Sequence, residues 1–553
     1  MKMLISKSDY ILWRECPNNV WIKKHLPQEY AKFEVSEFEQ SLAEMGNEVE
    51  KLARGMFPAG YLVEKRSAGA QELTKKLILE HHPVIFQAVF STEKYLAATD
   101  ILQWNEKAKA YDIYEIKMST TEEEVATLEE NSLRLTADLI TPRNFSEGGE
   151  RKVNRKKEDQ YENDLAFQVN TIEQCGLKLN EKYLVRLNKD YVRLGELDFT
   201  PGQLFIIENK TKRIDELLPH VSVEMERAYD YLVQKNIPAK PCPCYYKGRS
   251  SHCTAFSFIN PEVPKYSVHD LNRIGNSKKY LKELLDEGIL TIDKVPEDER
   301  LEVKKTKPAY AGRDGEKPKK PRKLNQVRVH KTKEPIIDLP AIKAELDSLT
   351  FPLYFLDYET YPTAIPPYSG YHPYQHIVFQ YSLHVLESPE AEPKHFEFLV
   401  FEGDPAEKIV QSLRENIGDV GSVISWYKKF ENSRNKELYR SVPLQFNFLN
   451  SVINRTYDLM DIVENQHYVH PGFLGRSSIK KVLPVLAPEL SYKKLGVQNG
   501  TEAIEAYRQI TEGELVGELA DKKEKQMLEY CKLDTYAMYV IWKFFYNLVY
   551  LSK

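Results

Sequence analysis

The sequence predicts an α/β protein of more than one domain. Three observations carry this. The chain has 553 residues, a length that calls for several domains. Short apolar or alternating runs that fit strands are interspersed with longer stretches of helical period. Between two globular regions lies a segment, 303–334, with twelve Lys/Arg, three Asp/Glu and three prolines, a composition that cannot build a core. In order, 1–260 reads as a first globular region, 261–300 as a small helical connector, 301–335 as a basic linker and 336–553 as a second globular region.

Each element has its own signal. VIFQAVF (84–90) is a strand candidate, and AYDIYEIK (110–117) alternates as a half-buried strand does. NDLAFQVNTIEQCG (163–176) fits a helix with Leu165, Phe167, Val169 and Ile172 apolar and Gly176 near its end. Residues 121–160 are polar, acidic then basic, and read as an insertion or mobile loop. Residues 266–297 read as two short helices around a Gly-Asn turn, and LEYCKLDTYAMYVIW (528–542) is a strong helix pattern.

Composition bounds the function. Hydrophobic residues make up 42 %, enough for ordinary cores, and no run of eighteen apolar residues exists to span a membrane. The opening MKMLISKSDYILWREC carries charge throughout and lacks the apolar core of a signal peptide, so a cytoplasmic location is expected. A net charge of −5 does not announce a nucleic-acid binder, but phosphate contacts need only a local basic stripe. The segment 303–334 is therefore either a solvated tether or a strap that tracks phosphates.

In YFLDYETY (354–361) the period of two puts Asp357 and Glu359 on one face of a strand. Paired carboxylates suit Mg2+ or Mn2+, which take oxygen ligands, although such a pair at a strand end is also commonly just solvated. In the helix pattern at 528–542, Tyr530 and Asp534 sit four apart and share a face; alone they read equally as a core tyrosine and a surface acid. Together these pieces resemble the DEDD family of 3′→5′ exonucleases, of RNase H-like fold. Asp357 and Glu359 match its D-x-E motif, and Tyr530 and Asp534 match the Y-x-x-x-D of its tyrosine branch. The middle motif departs: Glu431 follows Phe430 where the family has Asp, with Asp458 and Asp461 as fallbacks. The resemblance implies two divalent ions, Asp357 bridging, Glu359, Glu431 and Asp534 ligating, and Tyr530 positioning the attacking water. The stretch 361–376, rich in prolines and aromatics, reads as a lid that stacks on bases or as ordinary surface packing.

A second set lies upstream. Asp100 ends an apolar-leading stretch, and Glu115 and Lys117 share a strand face in YEIK. A bare E-x-K is common and usually a surface pair. With Gln168 on the following helix, however, the set resembles the PD-(D/E)xK nuclease superfamily, in the RecB-type branch that includes CRISPR-associated exonucleases. The resemblance implies a restriction-endonuclease-like core with Asp100 and Glu115 as metal ligands and Lys117 catalytic. Glu50, which pairs with Gly46 as in that branch's first motif, and Gln168 then support the site, with Asp164 as a helper.

Six cysteines occur, and in a large cytosolic protein close cysteines favour metal over disulfides. The same branch staples its core with a [4Fe–4S] cluster, which assigns Cys16, Cys242, Cys244 and Cys253 as ligands. Zinc on the four thiolates, or on three of them with His252, is the alternative, as is no metal. Cys175 and Cys531 read as buried bystanders on helices. The pairing of both modules resembles a bacterial family of unknown function. It implies a nuclease hydrolysing phosphodiester bonds, in DNA before RNA, in repair or anti-phage defence. The competing readings are a nucleic-acid-binding scaffold with one head inactive, and an RNA exonuclease.

Overall fold

A computed structural model describes residues 3–33, 37–64, 67, 69–120, 155–237, 240–298, 300–301 and 321–551. The protein is mixed α/β and divides into two compact units. The first comprises residues 1–245, 252–261 and 363–375; the second comprises 246–251, 262–362 and 376–553. Residues 121–154 of the expected insertion, and 302–320 of the basic segment, lie outside the described residues. Among the described residues no helix is long and apolar enough to cross a membrane.

The strands of the first unit are β1 (Ile5–Ser6), β2 (Tyr61–Leu62), β3 (Val84–Phe86), β4 (Val89–Ser91), β5 (Tyr95–Ala98), β6 (Ile101–Asn105), β7 (Ala110–Thr120), β8 (Leu179–Leu187) and β9 (Phe205–Asn209). Six of them form one sheet in the order β2-β3-β6-β7-β8-β9, and β1, β5 and β4 form a small second sheet. β7 lies inside the larger sheet, antiparallel to β6 and parallel to β8. The helix Arg155–Gln174 buries Leu165, Phe167, Val169 and Ile172 completely; Leu165, Val169 and Ile172 share one face at helical spacing, and Phe167 is buried on the opposite side. The run 84–90 is not one strand. Gln87 adopts φ +54, and this turn sends β3 and β4 into different sheets.

The stretch 363–375 belongs to the core of the first unit. Ala364, Ile365 and Tyr374 share a hydrophobic cluster with Val49, Ile101 and Val185. Arg193 Nη1 donates to the carbonyls of Pro366 and Pro367 at 3.1 and 2.7 Å. Tyr371 and Tyr374 are buried, so these rings are packed rather than presented to bases.

The second unit contains β10 (Ile336–Ile337), β11 (Leu353–Pro362), β12 (His376–Leu386), β13 (Lys394–Leu399), β14 (Ser422–Ser425), β15 (Thr456–Asp458) and β16 (Tyr468–Val469). Its main sheet has the order β13-β12-β11-β14-β15. β11, β12 and β13 are antiparallel, whereas β14 and β15 run parallel to β11. The central β11 is apolar on both faces, as a strand covered on both sides must be. Tyr354, Leu356 and Tyr358 pack with Ile409, Val410 and Leu438 on one side. Leu353 and Phe355 pack on the other with Met538, Ile541, Trp542 and Phe545 of the terminal helix, Glu518–Tyr550. Alternation therefore continues Asp357 and Glu359 onto the face beneath that helix.

Two further expectations are corrected. Of the stretch 266–297, only Lys278–Asp286 is α-helix; the rest of its helical structure is 3-10 turns at 268–270, 274–276 and 292–294. The end of the basic segment is also structured: Arg322–Thr332 is a helix that buries Asn325, Gln326, Val327 and Val329. Gln326 Nε2 donates to Tyr266 Oη at 2.9 Å and to the Asp270 carbonyl at 3.1 Å, and its Oε1 accepts from the Asn272 N–H at 2.7 Å. A Cβ at Gly475, which has φ +72, would collide with this amide. Gly475→Ala is therefore expected to cost about 2–4 kcal/mol through the left-handed backbone and displaced Gln326 bonds. A thermal melt should show a drop of several degrees; an unchanged melt would contradict this packing.

Candidate functional sites

The second unit collects acids. Asp357 and Glu359 stand opposite Ser382 and Gln380 of β12, and the register shifts immediately after Glu359, an irregularity of the kind that re-aims side chains near active sites. Glu431 arrives from the helix Lys428–Ser441, which follows β14, and Asp534 from the terminal helix. Glu359, Glu431 and Asp534 are only 8, 4 and 8 % exposed, whereas Asp357 is partly exposed. Burial raises all four carboxyls above their ordinary range, and each is raised further by at least one of the others or bears on one of them. Glu359 is pushed up to about 8 and Asp534 to about 6. The opposing cations are Lys480, which acts on Asp357, Glu359 and Asp534, and Arg434, which acts on Glu431. One oxygen of Glu431, Oε2, is buried with no hydrogen-bond partner.

Asp458 stands elsewhere. Its carboxylate accepts from the N–H groups of Tyr427 and Lys428 at 2.8 and 2.9 Å and from that of Met460 at 3.2 Å. It thus caps the helix that carries Glu431. Asp461 opens the short helix Asp461–Glu464. Neither is among the chief influences on the four carboxyls.

Three neighbours of the acids carry no readable motif. Tyr492 Oη donates to Asp534 Oδ1 at 2.5 Å, and Tyr530 hydrogen-bonds the same carboxylate. Lys480 lies over both tyrosine rings, 5.6 and 5.3 Å from their centroids. Cys531, expected as a bystander, places its sulfur 4.0 Å from Asp357 Oδ2.

In the first unit Glu115 is 1 % exposed and closely held. Lys7 and Lys117 both donate to its Oε1, at 2.6 and 2.8 Å, and Gln168 donates to its Oε2 at 2.5 Å. Lys117 also bonds Asp164. Burial raises the Glu115 carboxyl, but the two ammonium groups overcome it and hold the carboxyl well below the carboxylate range. Asp100 accepts from the Ile116 N–H at 2.7 Å. Burial first, and then Glu115, pushes Asp100 up to about 7. Glu50 bonds Arg54 at 2.8 Å and Gln87 at 2.5 Å. A Cβ at Gly46 would meet only Met118 Sδ, at an ordinary 3.7 Å, so space does not demand glycine there.

Cys16, Cys242, Cys244 and Cys253 come together in the first unit with ligand atoms all within 4.8 Å of one another, a group that could hold a metal ion. Cys16 lies at the junction of the helices Lys7–Glu15 and Pro17–His25. Asn260 Nδ2 donates to Cys242 Sγ at 3.4 Å. His252 is not in the group and stacks on Phe256. Hydrogen bonds among the thiols hold Cys242 low and Cys16 and Cys253 high. The other such group among the described residues is Asp357, Glu359 and Cys531; the acids of the first unit form none.

The acid cluster makes a pH prediction for metal-free protein. A carboxyl with a raised folded-state pKa binds its proton more tightly folded than unfolded. The fold therefore loses stability as pH rises from about 4 through about 6 for Asp534 and about 8 for Glu359. Glu359→Gln removes one of these ionisations. In chelator its melting temperature should fall less than that of the wild type between about pH 5 and 8, each kcal/mol moving Tm by roughly 2–4 °C. Parallel melts would show that the cluster does not titrate this way.

Residues 354–478 match a protein family described as a domain of unknown function (DUF2779). The match takes in Asp357, Glu359 and Glu431 and ends before Tyr492, Tyr530 and Asp534. No curated protein and no solved structure matches the chain.

Proposed function

We propose that the chain is a metal-dependent nuclease with two heads, hydrolysing phosphodiester bonds in DNA before RNA. On this reading the second unit is an RNase H-like 3′→5′ exonuclease of the DEDD type. The first is a RecB-like PD-(D/E)xK nuclease. One observation carries the reading: Asp357, Glu359, Glu431 and Asp534 meet in a buried place where, among the described residues, Lys480 and Arg434 are the cations that chiefly oppose their charge. Such a cluster calls for a cation, and its oxygen donors suit Mg2+ or Mn2+. The mixed sheet, with two acids on its central strand and one on a helix packed over it, supports the same family.

Divalent ions bound there would stabilise the attacking and leaving oxygens of an in-line displacement. The side chains have separate tasks. Asp357, the most accessible of the acids, faces the substrate side. Tyr492 and Tyr530 hold Asp534 in one orientation. Burial, and then Asp534, raises Tyr530 well above the usual phenol range, so it keeps its proton and orients the attacking water by hydrogen bonding. Lys480 is exposed and supplies the positive charge for the scissile phosphate.

In the first unit Asp100 and Glu115 would hold metal, with Gln168 fixing Glu115 and Lys117 facing the phosphate or water. Desolvation opposes the charge of Lys117, but Glu115 and Asp164 overcome it, so the ammonium persists and acts as a cation rather than a base.

The four cysteines fit a thiolate-bound metal. The resemblance implies a [4Fe–4S] cluster, whereas the sulfur spacing favours a single ion. Four ligands on bonds of about 2.3 Å stand about 3.8 Å apart in a tetrahedron, compatible with the 4.8 Å limit seen here. Cys242→Ser should abolish stoichiometric metal. Visible absorbance with iron would identify the cluster, and colourless protein with one zinc would identify the single ion.

End-labelled single strands and duplexes, in DNA and RNA, with Mg2+ or Mn2+, test the nuclease reading. Asp357→Ala should lower release from 3′ ends at least about a hundredfold, and Lys117→Ala should remove the remaining cleavage. Unchanged digestion in both variants would end the two-head proposal.

A further inference from the structure

The acid cluster contains a sulfur. On the terminal helix Cys531 and Asp534 are three apart and turn to the same side, toward β11. Cys531 is fully buried. A buried cysteine ordinarily packs as a small hydrophobe among apolar groups. This one has carboxylates for neighbours: Asp357, Glu359, Asp534 and Glu431 all act on its thiol. Its ligand atom and those of Asp357 and Glu359 all lie within 4.8 Å of one another. Bonds of about 2.3 Å to sulfur and 2.1 Å to oxygen leave two ligands of one ion roughly 3.6–4 Å apart, and Cys531 Sγ stands 4.0 Å from Asp357 Oδ2.

A second, independent feature marks the same place. Glu431 is 4 % exposed, and its Oε2 has no hydrogen-bond partner. Its charge bears on both Asp357 and Cys531. A buried, unpartnered carboxylate oxygen is costly unless something bonds to it. Cys175 makes the contrast: it is exposed and belongs to no such group.

We infer that Cys531 is a protein ligand of the acid site, which makes it a mixed carboxylate–thiolate centre suited to softer divalent ions than Mg2+. The inference rests on the reading of these acids as a metal site. Ligation replaces the S–H bond with a metal–sulfur bond and releases the proton to solvent. Thiolate favours zinc-like ions, whereas an all-carboxylate site favours Mg2+ or Mn2+. The thiol therefore changes which ion the site selects, while the acids provide the charge.

The test uses the full chain, stripped of metal and reloaded with 113Cd2+, and reads the metal by NMR. Besides any all-oxygen signal from an ion at Asp100 and Glu115, the wild type should give two resonances, one at the strongly deshielded position of four sulfurs and one between that position and an all-oxygen site. In Cys531→Ser the second should move to the all-oxygen position while the first stays, which also reports that the protein is folded. Cd2+ affinity at the acid site should fall roughly ten- to hundredfold, with Mn2+ affinity changed less than about twofold. An acid-site resonance identical in the wild type and Cys531→Ser would make the thiol a bystander and leave the acid site standing. No second resonance in the wild type, with Asp357→Asn indistinguishable from it, would overturn the metal reading and this inference together. If neither Cys531→Ser nor Cys531→Ala folds, the wild-type position alone decides, because an all-oxygen shift there contradicts a sulfur ligand.

Discussion

The organisation of the second unit depends on holding like charges together where water is scarce. Asp357 and Glu359 occupy the central strand, and Asp534 comes from a helix that packs on the same face. Their mutual repulsion would part helix from sheet if nothing opposed it. The opposing contact is apolar: Met538, Ile541, Trp542 and Phe545 pack with Phe355 and Phe379. Each such side chain contributes about 1.5–3 kcal/mol when fully buried. Several of them anchor the helix, so the acids stay together before any cation arrives. The core, rather than ion pairing, creates the site.

The first unit follows the opposite electrostatic logic. Glu115 is as deeply buried, but Lys7, Lys117 and Gln168 surround it, and its proton is lost easily. The burden shifts to Asp100, held near neutrality by burial and by Glu115. One unit thus presents an acid site short of positive charge, and the other a site already balanced by its own ammonium groups. A cation is demanded in the second and must compete with lysines in the first.

The legible parts of the sites were those governed by a local period. A strand alternates by two, so D-x-E alone puts Asp357 and Glu359 on one face. A helix returns after four, so Tyr530 and Asp534 align. The β7 strand and the helix carrying Gln168 were readable for the same reason. What stayed hidden depends on what each element lies against. Cys531 in an apolar helix reads as filler until β11 is seen beneath it. Lys480 and Tyr492 carry no motif and gain meaning only through Asp534. Lys7 opens a helix 108 positions from its partner Glu115. Net composition concealed the helix at Arg322–Thr332, whose valines and amides find partners despite their basic neighbours. Gln87 broke an apolar run through one backbone angle that side-chain pattern does not encode.

The central claim is that the buried acids of the second unit form a cation site. A calorimetric titration of metal-free protein with Mn2+ tests it most directly, comparing wild type with Asp357→Asn. A saturable site in the wild type that is missing from the variant, with unchanged folding and any first-unit binding retained, is the predicted result; the same sites in both proteins, or none in either, would contradict it.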